Sequence, residues 1–155
     1  MKVKVLIDEN SKEPEVVIKC KEITEEILSI QQFISKQKNN EFKLIFYKNN
    51  QEYYLNISSI LFFETSSTSV YAHTKDEVYE VKYRLYELER LLPEMFLRIS
   101  KSTILNLDQI YSLTKNITSS SLVEFYHTHK KVYASRKYLK ILHDKIKEER
   151  NYEKN

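Results

Sequence analysis

The chain has 155 residues, 41% of them apolar, with 12 Tyr and 7 Phe, two Pro, no Gly and a net charge of +3. That length allows one or two domains and the aromatic content can fill a core, but no apolar run approaches the ~20 residues of a membrane-spanning helix. The opening MKVKVLIDEN lacks the apolar core and cleavage site of a signal peptide, the single Cys20 excludes an internal disulfide and fits a reducing cytoplasm, and a chain without glycine has no glycine phosphate loop.

Lys2–Ile7 alternates apolar and polar residues and reads as a strand; Asp8–Pro14 is a turn and Val16–Cys20 a second short strand. Lys21–Gln37 reads as a helix, with Ile23, Ile27, Ile30 and Ile34 on one stripe. Two readings of the stripe stay open. It packs on the two neighbouring strands, or it forms a dimer seam, since 4-3-4 is also heptad spacing. The polar Lys36–Glu41 is a linker, so residues 1–40 form a small strand–strand–helix unit and residues 42–149 a second domain. From Phe42 the pattern changes to short strands. Phe42–Tyr47 and Tyr53–Leu55 flank a turn at Asn49-Asn50, because without glycine the left-handed positions fall to Asn. Ile57–Phe63 is apolar and ends in Glu64 and the loop Thr65–Ser69. Val70–Thr74 and Glu77–Tyr83 flank a turn at Lys75-Asp76. Arg84–Leu92 is a short helix stopped by Pro93. Tyr111–Lys115, Leu122–Tyr126 and Lys131–Ala134 are strands, and Arg136–Glu149 is the last helix, with Tyr138, Leu139, Ile141, Leu142 and Ile146 on one face.

The most informative stretch is Phe96–Ile110. It interleaves Phe96, Ile99, Ile104, Leu105, Leu107 and Ile110 with Arg98, Ser100, Lys101, Ser102 and Asn106. Cations beside short polar side chains on a fixed segment suit an anionic polymer, with charge for phosphates and small polar groups for base edges. A second such stretch, Tyr133–Lys140, is expected to share its face. Between Phe96 and Lys140 there are eight Lys and Arg against Asp108 and Glu124, a net +6 that doubles the whole-chain value. Ser135 stands where an N-cap belongs, so Arg136 and Lys137 begin the last helix. Cations there oppose the helix dipole unless an anion is present, and a phosphate would reconcile them.

Other candidate chemistry is thin. His127 and His129 can share a face but have no third ligand at a suggestive spacing, and they read as hairpin-tip residues. Cys20 reads as a buried packing residue. Glu64, at a strand end, reads as orienting a neighbouring loop. No nucleophile–base pair is apparent, so an enzyme is disfavoured and no cofactor is implied.

In their order, ILFFET (Ile60–Thr65), VYAHTKDEVYEV (Val70–Val81), RLYELERLLPEMFLRISKSTILNLDQI (Arg84–Ile110) and VYASRKYLKIL (Val132–Leu142) resemble the LytTR family of bacterial DNA-binding transcription regulators. Phe96, Arg98, Ser102 and Asn106 match the family's Phe-x-Arg segment with its following Ser and strand-ending Asn, and Ser135-Arg136 matches its last Ser-Arg. The resemblance covers about residues 42–148. It implies a mostly β fold of small, elongated antiparallel sheets with short helices, whose loops at one edge enter major grooves of double-stranded DNA. It implies contacts from Ser66, Ser67, Thr68 and Ser69, from Lys101, and from Lys137 with Arg136 beside it. The first loop departs from the glycine or bulkier polar residue of many members. Some 40 residues before the β domain are too few for a receiver, so the chain looks like a short stand-alone member. It is expected to act as a homodimer in the cytoplasm, with a membrane or small-protein partner as its input. The competing reading is a protein-interaction module whose basic face binds an acidic protein.

Overall fold

The computed structural model describes residues 4–10, 12, 15–37, 43–116 and 118–152. Among these residues ten strands and three α-helices follow one another as α1 (Glu25–Gln37), β1 (Phe46–Lys48), β2 (Gln51–Tyr53), β3 (Phe62–Ser66), β4 (Ser69–His73), β5 (Val78–Val81), α2 (Leu85–Leu91), β6 (Phe96–Arg98), β7 (Thr103–Asn106), β8 (Ile110–Thr114), β9 (Ser121–Phe125), β10 (Lys131–Ala134) and α3 (Arg136–Tyr152). The strands form two antiparallel sheets, one ordered β2-β1-β5-β4-β3-β7-β6 and one ordered β10-β9-β8. The mostly β fold with short helices is therefore what the chain adopts.

Strand alternation builds two cores on opposite faces of the large sheet. On β3, Phe63 joins Ile104, Val70, Ala72 and Val81 beneath Leu85 and Leu88 of α2. The adjacent Phe62 points the other way, to Leu105, and meets Phe125, Val132 and Leu142 from the small sheet and α3. Phe62 stacks on Phe125 at 5.5 Å and on His73 at 4.2 Å between ring centroids. Burying each such side chain contributes about 1.5–3 kcal/mol, and a one-residue slip in β3 would exchange the two cores.

Turns without glycine are handled as expected at Asn49 and Asn50, with φ of 51° and 59°, the pair of left-handed residues that a two-residue hairpin loop requires. The β3–β4 loop, Ser67-Thr68, is equally short, and Ser67 takes φ 54°.

Several expectations need correction. Ile57–Ser59 is a 3-10 turn rather than strand, because Asn56 accepts the Ser58 N–H at 3.0 Å and caps it. Residues 4–8 and 15–20 are described but join no sheet, so the two N-terminal strands are not formed there. Val5, Leu6, Ile7, Val16 and Val17 are exposed, and Cys20 is exposed rather than packed. Residues 38–42, most of the expected linker, lie outside the described residues. Helix α1 starts at Glu25, not at Lys21, and it packs on α2 instead of on strands. Leu28 is buried, and Arg90 of α2 bonds both Glu25 and Ser29, the latter at 2.8 Å. Ile141 of α3 is half exposed while Leu142 is fully buried.

Candidate nucleic-acid interface

Two backbone hydrogen bonds bring the three sequence-predicted segments together. The Thr65 N–H, at the start of the β3–β4 hairpin end, donates to the Ser102 carbonyl at 2.9 Å. The Ser135 N–H, at the β10–α3 junction, donates to the Ile99 carbonyl at 2.9 Å. The β6–β7 loop, residues 99–102, is thus clamped between the hairpin Ser66–Ser69 on one side and the start of α3 on the other. Buried Ile99 and Thr103 anchor its two ends. The hydroxyl of Ser100 accepts the Ser102 N–H at 3.2 Å, a local turn bond that short hydroxyl residues make readily.

Side chains at this edge divide into two sets. Ser66, Ser67, Thr68, Lys101, Ser102, Arg136 and Lys137 are exposed, and Ser69, Ser100 and Ser135 are half-buried. Ser69 donates its hydroxyl to Glu80 at 2.9 Å. The Ser135 carbonyl accepts the Tyr138 N–H at 3.0 Å and so opens the first turn of α3. Lys137 lies over the Tyr138 ring at 5.6 Å, and Lys140 is exposed one turn on.

Arg98 and Asn106 belong to the other set, the first half-buried and the second buried. Asn106 is 0% exposed. Its amide donates to the Ile60 carbonyl at 2.9 Å and its Oδ1 accepts the Asp108 N–H at 3.0 Å. A group without solvent access cannot touch a duplex; it ties β7 to the segment leading into β3. Arg98 bonds Glu89 and two carbonyls of the 99–102 loop.

The eight cations of the basic stretch likewise separate. Lys130 is spent between the sheets, donating to the carbonyls of Thr74 at 2.8 Å and Glu77 at 3.0 Å, where burial lowers its pKa. This lies at the end of β4 opposite the Ser66–Ser69 loop. Lys115 meets His143 at 2.8 Å, and Lys131 stands opposite Glu124 across β9–β10. The cations left at the clamped edge are Lys101, Arg136 and Lys137, with Lys140 beside them. Charge counting along the sequence could not see this partition.

Glu64 sits on the sheet face toward His73, whose Nε2 lies 3.1 Å from its Oε1, though the angles do not make a hydrogen bond. Burial holds the His73 pKa below its ordinary value; Glu64 pulls it up and Lys130 pushes it down. Sequence reasoning missed Glu89, whose only signal was an acid on a helix nine residues before Arg98. Among the described residues no group of three or more His, Cys, Asp and Glu is placed to hold a metal, and no helix is long and apolar enough to cross a membrane.

Residues 50–147 match the LytTr DNA-binding domain family. The chain belongs to that family. The LytTR match spans every segment of the clamped edge, from Ser66 to Lys137. Similar proteins include uncharacterised HTH-type transcriptional regulators of Staphylococcus aureus strains NCTC 8325 / PS 47 and N315, each 29% identical over 149 residues, 94% of this chain and 98% of the relative. A solved LytTr DNA-binding domain from Bacillus cereus superposes with a TM-score of 0.62 at 21% identity, over 68% of this chain and 96% of that one. Among the described residues α1, α2 and α3 are separated from one another by strands.

Proposed function

We propose that this LytTR protein is a sequence-specific transcriptional regulator that reads double-stranded DNA with the edge formed by Ser66–Ser69, residues 100–102 and residues 135–137. The observation that carries this reading is the pair of backbone hydrogen bonds joining those three segments. They gather short hydroxyl side chains and the exposed cations Lys101, Arg136 and Lys137 on one edge of a family known by its DNA-binding domain. Lys101, on the clamped loop, is suited to a base edge, since a lysine can donate to guanine O6 or N7. Arg136 and Lys137, at a helix N-terminus, are suited to phosphates. The relatives' description as transcriptional regulators supports a role in transcription, and a cytoplasmic location is part of the proposal.

The reading extends to a homodimer. Ile27, Ile30 and Ile34 fall on the side of α1 away from Glu25 and Ser29, which bond Arg90 of α2. These three are half-buried, Ile23 just before the helix is exposed, and a second α1 would complete their cover. Two linked domains gain affinity on paired half-sites by effective concentration. A membrane or small-protein partner as signal input completes the proposal.

The test is enrichment of duplexes from a random pool, then titration of the enriched duplex against excess competitor DNA. A preferred sequence, bound cooperatively when present twice, supports the reading. Equal binding to every duplex, together with tight binding to acidic proteins, would favour the interaction-module alternative.

A further inference from the structure

Arg98 ends β6 with its side chain only 19% exposed. Its Nε donates to the Ser100 carbonyl at 3.0 Å, its Nη2 to the Lys101 carbonyl, and its Nη1 to Oε2 of Glu89 on α2 at 2.8 Å. The guanidinium is therefore engaged on three sides by protein. The two carbonyls it holds belong to consecutive residues of the clamped loop, and the second belongs to Lys101 itself. A planar fork fixes both at once, which the single ammonium of a lysine cannot do. Glu89 supplies the counter-charge and holds the fork from behind, an ion pair reinforced by a hydrogen bond.

We infer that Arg98 and Glu89 are positioning residues: they aim Lys101 at the nucleic acid and do not touch it themselves. This rests on the proposed DNA-reading edge. The contrary assignment makes Arg98 a phosphate contact, and the two assignments give Glu89 opposite roles. For a positioning pair, loss of the Glu89 charge loosens Lys101 and erodes sequence preference. For a phosphate-contacting arginine, Glu89 is a competitor, and its loss tightens binding to any DNA.

The experiment measures affinity of the full chain for its enriched duplex and for a scrambled one, each at several salt concentrations. The variants are Glu89→Gln, Arg98→Lys, Lys101→Ala and the double variant Glu89→Gln with Lys101→Ala. Glu89→Gln is expected to lower the ratio of the two affinities by about fivefold or more, the lower end of one base contact, with the salt slope unchanged. Arg98→Lys, which keeps the charge but loses the fork, is expected to lose the same preference. In the double variant Glu89→Gln should add little to Lys101→Ala, because both act through one side chain. An affinity ratio that is unchanged or higher in Glu89→Gln overturns the inference, as does full additivity with Lys101→Ala. Should thermal melts show Arg98→Lys unfolded, Glu89→Gln, on an exposed helix face, decides alone. A wild-type chain that prefers no duplex would instead defeat the DNA reading, so the two failures are distinguishable.

Discussion

The root and the tip of the β6–β7 hairpin are made from similar residues and do opposite work. At the root, Asn106 is fully buried, and its amide and carbonyl oxygen join β7 to the backbone around Ile60 and Asp108. At the tip, a few residues away, Ser100, Lys101 and Ser102 reach solvent, and their backbone is pinned from both sides. The root specifies where the tip sits, and only the tip is free to meet a ligand. A polar residue on this hairpin is thus diagnosed by which end holds it, and substitutions at the two ends should separate stability from recognition.

The largest expected effect is at the root. Asn106→Leu leaves the Ile60 carbonyl and the Asp108 N–H without their partner, and buried unpaired groups cost about 1–3 kcal/mol each. Chemical denaturation should show a loss of about 2–4 kcal/mol, with DNA binding failing only through unfolding. Retained stability would mean that the root is not the anchor. At the tip, Lys101→Ala should change stability by less than about 0.5 kcal/mol yet remove about 1–3 kcal/mol of preference between the enriched and a scrambled duplex. Arg136→Ala sharpens the contrast from the flank. It should weaken both duplexes alike and lower the slope of log affinity against log salt by about 0.9.

A smaller effect lies away from the tip, at His73. Its folded pKa is depressed by burial, so the unfolded chain binds the proton more readily. Stability should be full above the ordinary histidine range and decline as pH falls through it toward the depressed value, then level off. His73→Phe, which can keep the stack on Phe62, should flatten that part of the stability–pH profile. An unaltered profile would place the titration elsewhere. The smallest effect belongs to Ser67, held at φ 54° in the β3–β4 loop. Asn tolerates that region better than Ser, and Ser67→Asn should raise stability by a few tenths of a kcal/mol.

Much of the fold was legible because its devices are local. Asn49-Asn50 marked a hairpin in a chain without glycine, Pro93 marked the end of α2, and alternation marked β4, β5 and β10. The N-terminal misreading has a physical cause. Residues 2–7 alternate like a strand, but alternation states only that a strand would have two unlike faces, and it names no partner to pair with. The isoleucine stripe was visible, whereas the buried position that docks α1 is Leu28, outside it. The family resemblance named the three segments of the edge. Charge and spacing alone did not separate Lys101 from Arg98, since both are cations on one short stretch. What separates them is Glu89, which α2 brings to Arg98 from nine residues earlier, and no spacing rule reports that an acid will occupy a particular cation. Lys130 shows the same limit, spent on carbonyls of the β4–β5 turn that lie more than 50 residues away in sequence.

The central claim is that three segments distant in sequence address one duplex. A photo-crosslinking amino acid placed singly at Ser67, at Lys101 or at Lys137, and at Tyr111 as an exposed control on the small sheet, tests it directly on the enriched duplex. The account predicts crosslinks from the first three positions to neighbouring nucleotides of the same duplex, and none from Tyr111. Crosslinking from Tyr111 with silence at the three edge positions would contradict it.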